Sequence, residues 1–439
     1  MNRRGFLSGL AAAPLGVWAA GGPASAGSTV AGSADVIVAG GGPAGLSAAI
    51  SFARRGRKVL LFEAHGALGG IWTSGLLSCL IDFGRSPLAH EITARLDGLG
   101  ARVPRRATMS DENYLYEPEY MKYVCEELCR EAGVVFQLHT SVVAAETEGR
   151  RIVAVATESK SGRQTWRAPL FVDATGDGDL AARAGCAFTR GGFQPGDPDQ
   201  PASLIALAMI ADSRRVARFT VNDAAVFDEK GRPRYNVKKA FLEELRRVGV
   251  EPSYSAPTLF RIRPNLFALM ANHEYDVAVD DAAAQTRATV RARRELVEMS
   301  RALALKGGPA WEGFRLVATG EQLGNRGARR IKGRYTLTAE DVRTGAKFPD
   351  AIASCGFCVD IHTTRYKDRQ DGVVVTDNVK KPKRGAQPVY DIPLRACHSF
   401  DFDNLYMIGR CISGDFAAQA SYRITGAAVA MGEGLAKSI

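Results

Sequence analysis

One short turn fixes most of what this chain can become. Asp35-Val36-Ile37-Val38-Ala39 is an apolar, β-branched run, and Gly40-Gly41-Gly42-Pro43-Ala44-Gly45 follows it directly. Such a run suits a strand buried on both faces of a parallel sheet. Gly40, Gly42 and Gly45 occupy the three glycine places of G-x-G-x-x-G. The first permits a tight turn, the second lets a pyrophosphate approach the backbone, and the third lets helix and strand pack closely. Pro43 and Ala44 lead into a helix expected over Leu46 to Arg55, whose free N–H groups and positive dipole end suit phosphates. A second strand, Lys58 to Phe62, ends at Glu63, about 20 residues on, where a carboxylate can bond ribose hydroxyls. Strand, turn, helix, strand and acid stand in order, a far more specific signal for dinucleotide binding than the glycines alone.

The stretch after Glu63 narrows the choice of dinucleotide. Ala64-His65-Gly66-Ala67-Leu68-Gly69-Gly70 runs into Ile71-Trp72-Thr73-Ser74-Gly75. This resembles the extension, a glutamate followed after five residues by Gly-Gly, of FAD enzymes of the glutathione-reductase type. The resemblance makes Ala64, Gly69 and Gly70 cofactor-binding candidates. No second G-x-G-x-x-G with its own helix and acid follows, so a separate NAD(P)H domain is not expected.

Three later segments carry the likeness further. Two strands are expected between Thr140 and Thr157 around the turn Glu148-Gly149-Arg150. Leu170-Phe171-Val172-Asp173 runs into Ala174-Thr175-Gly176-Asp177, and Leu405-Tyr406-Met407-Ile408 runs into Gly409-Arg410-Cys411-Ile412-Ser413, with Gln419-Ala420-Ser421-Tyr422-Arg423 beyond. Together these motifs resemble the bacterial FAD-dependent oxidoreductases from about Ala34 to the C-terminus. The resemblance implies that Val143 touches the adenine and that Ala174, Thr175, Gly176 and Asp177 pass the FAD. It also brings Gly409 and Arg410 to the cofactor. A last helix from Thr425 points its N-terminus at the flavin, with Arg423 adding charge that favours the reduced, anionic form. Two places depart from the family pattern. Asn325-Arg326-Gly327-Ala328-Arg329-Arg330 replaces a more usual R-E-S-R-R, and Cys355-Gly356-Phe357-Cys358 stands where small or aromatic residues are commoner.

The expected fold is α/β: a Rossmann-like FAD-binding domain, discontinuous, with an inserted α+β substrate domain. It takes residues 34–190, yields to the insertion at 191–346 and returns over 347–439. Within the insertion Ser203 to Ile210 reads as a strand, and a helix over about Asp280 to Lys306 would turn Val290, Leu296, Val297 and Leu303 to its core.

Residues 1–26 read as an export leader: Arg3-Arg4 precede Gly5-Phe6-Leu7, an apolar stretch runs to about Ala20, and Ala24-Ser25-Ala26 offers a small-residue cleavage site. The paired arginines suggest the twin-arginine machinery, which carries folded, cofactor-loaded proteins. The apolar stretch falls short of the ~20 residues of a membrane span, which disfavours an anchor. The expectation is a periplasmic or extracellular protein cleaved after about Ala26. The net charge of +10 is scattered apart from Lys380-Lys381-Pro382-Lys383-Arg384, so no nucleic-acid partner is expected.

Within the family likeness, the chemistry expected is hydride transfer from a small organic substrate to flavin N5. Losing a proton from a hydroxyl or amine calls for a base, and His362 is the first candidate. Arg330 and Arg334 are candidates for holding an anionic substrate, and Tyr422 for orienting it. Trp72 is a candidate cover for the flavin ring or a core residue. Without an NAD(P)H domain, the electron acceptor is expected to be a quinone, a carrier protein or oxygen. The alternatives are a flavin-dithiol oxidoreductase using Cys355 and Cys358, and a non-catalytic flavin-binding protein. No metal is expected, because Asp173 to Leu180 lacks the spacing and terminal Glu of a calcium loop.

Overall fold

The computed structural model describes residues 30–103, 114–365 and 388–439; the leader and the basic run at Lys380 lie outside the described residues. Five parallel strands make the central sheet, in the order Leu405–Met407, Leu170–Asp173, Val36–Ala39, Val59–Phe62, Val135–Gln137. Val36–Ala39 lies in the middle and is buried throughout, as its unbroken apolar run requires. Helix Pro43–Ala53 crosses to Val59–Phe62, and helix Pro118–Ala132 crosses to Val135–Gln137.

Helix Pro43–Ala53 is apolar almost all round because it is covered twice, by the sheet and by the C-terminal helix Thr425–Ser438. Its one polar inner side chain, Ser47, donates to the Val429 carbonyl at 2.7 Å. The strands Ser141–Glu148, Arg151–Ser159 and Gly162–Arg167 form an antiparallel meander that covers the sheet, with Trp166 packed 5.2 Å from the Phe62 ring.

A second core stands apart. Strands Thr258–Arg263, Leu266–Met270, Ala206–Met209 and Arg315–Thr319 make an antiparallel sheet in that order, backed by helices Val237–Arg247 and Ala282–Lys306. Phe219, Phe241 and Trp311 stack in it with ring centroids 5.4–6.3 Å apart. Each such ring removes roughly 150–250 Å² from water, enough for this lobe to hold a core of its own. The architecture is therefore α/β: a discontinuous Rossmann-like FAD-binding domain with an inserted α+β lobe.

Some expectations are corrected. Leu296 and Leu303 face the second core, but Val290 and Val297 are 51% and 42% exposed. The inward stripe is Ala288, Ala292, Leu296, Met299 and Leu303, a spacing of three and four that turns the two valines outward. Only Ala206–Met209 of the expected strand Ser203 to Ile210 pairs regularly. Ile331, Leu337 and Val342 pack into the first core, so the chain returns to it before residue 347.

Candidate functional site

A cleft of about 250 Å³ opens above the carboxyl ends of the parallel strands. The first turn contributes Gly40, Gly42, Pro43 and Ala44, and the next strand contributes Glu63 and Ala64. Gly70 follows, then Ala174, Thr175, Gly176 and Asp177 from the third strand end. Gly409, Arg410, Arg423 and Thr425 close the other side. Gly45 and Gly69 lie just behind the wall. A Cβ on Gly45 would strike the Gly40 carbonyl, and Gly69 N–H donates to the Gly41 carbonyl at 2.8 Å.

The local reasons are backbone ones. Gly40 has φ +96°, and a Cβ there would lie 2.6 Å from the Ala174 carbonyl oxygen, so only glycine fits. A Cβ on Gly42 would meet nothing within 4 Å; it would project into open space. Neither helix Pro43–Ala53 nor helix Thr425–Ser438 has a side-chain cap, which leaves the N–H groups of both first turns to a ligand. Glu63 is held by three donors: Gly41 N–H at 2.6 Å, His65 N–H at 2.9 Å and His65 Nδ1 at 2.7 Å. That last contact raises the His65 pKa. Asp173 accepts from Thr175 and Ala181 and fixes the turn beneath Gly176. Arg410 Nη2 bonds Asp177 at 2.5 Å, while the buried Nε atoms of Arg410 and Arg423 have no partner among the described residues. Open space over Gly42, two uncapped helix ends and two unanswered guanidinium edges fit a dinucleotide such as FAD.

Arg423 joins this cleft to a polar cluster where the two lobes meet. Its Nη2 donates to the Asp360 carbonyl at 2.9 Å and to Asp360 Oδ2 at 3.0 Å. Asp360 Oδ2 also stands 3.3 Å from His362 Nε2, while His362 Nδ1 is buried without a partner among the described residues. The His362 ring is 5.1 Å from that of His273, which stacks on Tyr254 at 4.1 Å. Arg326 reaches in from the inserted lobe and donates through Nη1 to Pro201 O at 2.7 Å and Ser203 Oγ at 2.9 Å. Burial, then the Arg326 charge, push His362 down to about 4 against the pull of Asp360, so its imidazole is neutral at neutral pH. Burial also carries His273 well below the usual range. Burial opposes ionisation of Asp360, but the His362 N–H and the Arg423 and Arg326 charges outweigh it and hold the carboxyl far below normal. With His362 neutral, the two guanidiniums supply that charge. Arg326 is lowered to about 10 by burial and by Arg423, and it stays protonated.

Several expected residues lie elsewhere. Val142, not Val143, lines the cleft: the two are neighbours on one strand, where successive side chains face opposite ways. Arg334 is on the surface, paired with Asp403 at 2.7 Å and donating to the Ser399 carbonyl. Tyr422 is wholly buried and donates to the Ile412 carbonyl at 3.0 Å, so it orients a helix, not a substrate. Arg330 is buried against Phe416 and bonded to Gly191 O and Gln419 Oε1, with its Nε left without a partner among the described residues. Trp72 is core, edge-on to Phe83 at 5.6 Å. Cys355 ends the strand Ala351–Cys355, while Cys358 lies beyond it and is exposed, with no disulfide between them. Burial pushes the Cys355 thiol up to about 11, the wrong direction for an exchanging thiolate.

Asp360, Arg326, His273, Tyr254 and His65 were not singled out as site residues. Asp360 had a signal: with His362 it forms an i, i+2 pair, which puts both side chains on one face of extended chain. His65 follows Glu63 in the same way. His273 and Tyr254 carry no local signal.

Residues 35–437 match the family model described as FAD dependent oxidoreductase. No curated protein matches the chain. Among solved structures it is similar to a geranylgeranyl bacteriochlorophyll reductase-like protein from Thermoplasma acidophilum, at 14% identity over 92% of this chain and 76% of that one, with a TM-score of 0.44. A p-nitrophenol 4-monooxygenase from Pseudomonas putida gives 14% identity, coverage of 69% and 70%, and a TM-score of 0.43. A flavin-dependent monooxygenase solved with FAD and substrate gives 14%, 69% and 51%, and 0.44. The family match runs from the first strand of the parallel sheet into the C-terminal helix, and the chain belongs to the FAD-dependent oxidoreductases, with FAD as its cofactor.

Proposed function

We propose that the chain is a dehydrogenase or oxidase that takes a hydride from a small organic substrate, with His362 as the base. The observation that carries this is the Asp360–His362 pair, tied to the cofactor cleft through Arg423. Bound FAD supplies the two-electron acceptor. With its proton on Nε2, facing Asp360, neutral His362 keeps a lone pair on Nδ1, the atom left without a partner. As the substrate's hydroxyl or amine carbon is oxidised, its O–H or N–H proton would pass to His362 Nδ1, leaving a carbonyl or imine. Asp360 is the positioning residue: it fixes the tautomer and stabilises the imidazolium that forms.

Anaerobic absorbance tests this reading. Some member of a panel of alcohols, amines, hydroxy acids and amino acids bleaches the flavin band, and His362→Asn slows that bleaching while FAD stays bound. A flavin that no member of the panel reduces would sink it. The electrons then leave to a quinone, a carrier protein or oxygen, a choice supported by the lack of a second dinucleotide motif. The likeness to the glutathione-reductase type rests on Glu63 and Gly69-Gly70, and export by the twin-arginine route rests on Arg3-Arg4. Replacing both arginines with lysine is expected to keep the protein in the cytoplasm.

A further inference from the structure

We propose that the junction cluster holds a subsite for a carboxylate, gripped by Arg326 with Gln200, so that the substrate is a small organic acid bearing its oxidisable hydroxyl or amine beside His362. The inference rests on the redox reading above and extends it to a substrate class.

The first argument is geometric. Arg326 spends Nη1 on Pro201 O and Ser203 Oγ, and among the described residues its Nε and Nη2 edge makes no hydrogen bond. A guanidinium edge offers two parallel N–H groups, the match for a planar carboxylate. Arg326 lies among protein groups, yet it is half-buried, so part of its surface stays open to solvent.

The second argument is the kind of atom left unanswered. Gln200 is buried; its Oε1 accepts the His362 backbone N–H at 3.0 Å, while Nε2 has no partner among the described residues. His273 is buried, its Nδ1 lies 3.4 Å from the Tyr275 hydroxyl, and its Nε2 has no partner among the described residues. The Tyr275 hydroxyl gives its proton to the Ser253 carbonyl at 3.3 Å, so His273 Nδ1 is the N–H that faces it and Nε2 is left as an acceptor. Beside Arg326 the Gln200 amide is thus a further buried donor, while His362 Nδ1 and His273 Nε2 are acceptors. Donors of this kind call for an anion, and the acceptors call for X–H groups on the same molecule.

The third argument is charge. Arg326 and Arg423 bring two guanidinium charges to the cluster, and Asp360 is the carboxylate that faces both. The neighbouring His273 and His362 are neutral. A substrate carboxylate balances the remaining positive charge at little desolvation cost to the site.

Calorimetric titration of the FAD-loaded protein tests this, with propionate, lactate and benzoate set against propionamide, lactamide and inorganic phosphate. Carboxylates are expected to bind at least tenfold tighter than the matching amides and than phosphate. Arg326→Gln is expected to remove that preference while FAD content and circular dichroism stay unchanged. Arg326→Lys, which keeps the charge without the planar edge, is expected to recover only part. Equal binding of acid and amide, equal binding of phosphate, or an intact preference in a folded Arg326→Gln protein each overturn the proposal. The two readings fail separately. Tight carboxylate binding with no flavin bleaching by any hydroxy or amino acid removes the redox reading and leaves the subsite. Bleaching by neutral alcohols alone, with no carboxylate preference, removes the subsite and leaves the redox reading.

Discussion

The phosphate cradle and the junction cluster lie side by side, joined by Arg423, and they are built on opposite principles. The cradle is made of backbone, and the side chains that shape it, Glu63 and Asp173, are fully engaged by neighbours. The cluster is made of side chains drawn from six separate segments, and it leaves polar atoms of Gln200, His273, His362 and Thr363 buried without partners among the described residues. An unanswered buried polar group costs about 1–3 kcal/mol, so a cluster of them is sustained by what they do when a ligand arrives. The difference separates a socket shaped by backbone from a cluster shaped by side chains.

The change that divides the two regions at the cofactor is Gly42→Val. Its side chain would fill open space without touching protein, so folding is expected to survive while the pyrophosphate is displaced. The FAD-to-protein ratio on purification is expected to fall at least tenfold, a loss of about 1.4 kcal/mol or more in binding. A Gly42→Val protein that purifies yellow at full stoichiometry would show that the cofactor lies elsewhere.

His362→Asn is the complementary change. FAD content is expected to stay at wild-type level, while kcat falls by about 100- to 10,000-fold, the usual contribution of a positioned base. Loss of FAD in this variant would merge the two regions into one structural unit and break the comparison.

The pH response sharpens it. His362 titrates near 6.5 in an unfolded chain and at about 4 in the fold. Between those values the unfolded chain binds more protons, so stability falls as pH is lowered through that window, and His362 adds no slope above it. Each unit of difference is worth about 1.4 kcal/mol. Wild type is therefore expected to lose stability relative to His362→Asn by about 2–3 kcal/mol between pH 7 and pH 4, read from denaturant midpoints. Parallel pH curves for the two proteins would mean that His362 is not held neutral.

How much of this was legible in the sequence follows the same division. The cradle was legible almost residue by residue, because a backbone site needs particular glycines at particular spacings and its signal is local. Val143 failed by one position: period two puts the two valines on opposite faces but does not say which face meets the cleft. The inserted lobe's helix failed at Val290 and Val297, because hydrophobicity alone did not separate the inward stripe of alanines from the outward valines. The cluster was legible only at His362. Arg326 sat within a run that departs from the family pattern, yet the choice fell on Arg330 and Arg334, since nothing in the sequence tells which arginine of a basic stretch meets which lobe.

Arg334 gives the smallest and most discriminating effect. It is 40% exposed and its carboxylate partner Asp403 is 46% exposed, so solvent screens the pair. Arg334→Ala is expected to cost at most about 1 kcal/mol of stability and to leave flavin reduction unchanged. Arg326 is the contrast, a guanidinium of the same chemistry enclosed at the lobe junction with one edge unanswered. If Arg334→Ala lowered substrate binding as Arg326→Gln is expected to, exposure and pairing would be poor guides to which arginine works, and the division between socket and cluster would need redrawing around surface charge. If only the enclosed arginine matters, burial with an unanswered donor edge is what separates a substrate-binding arginine from a solvated one in this fold.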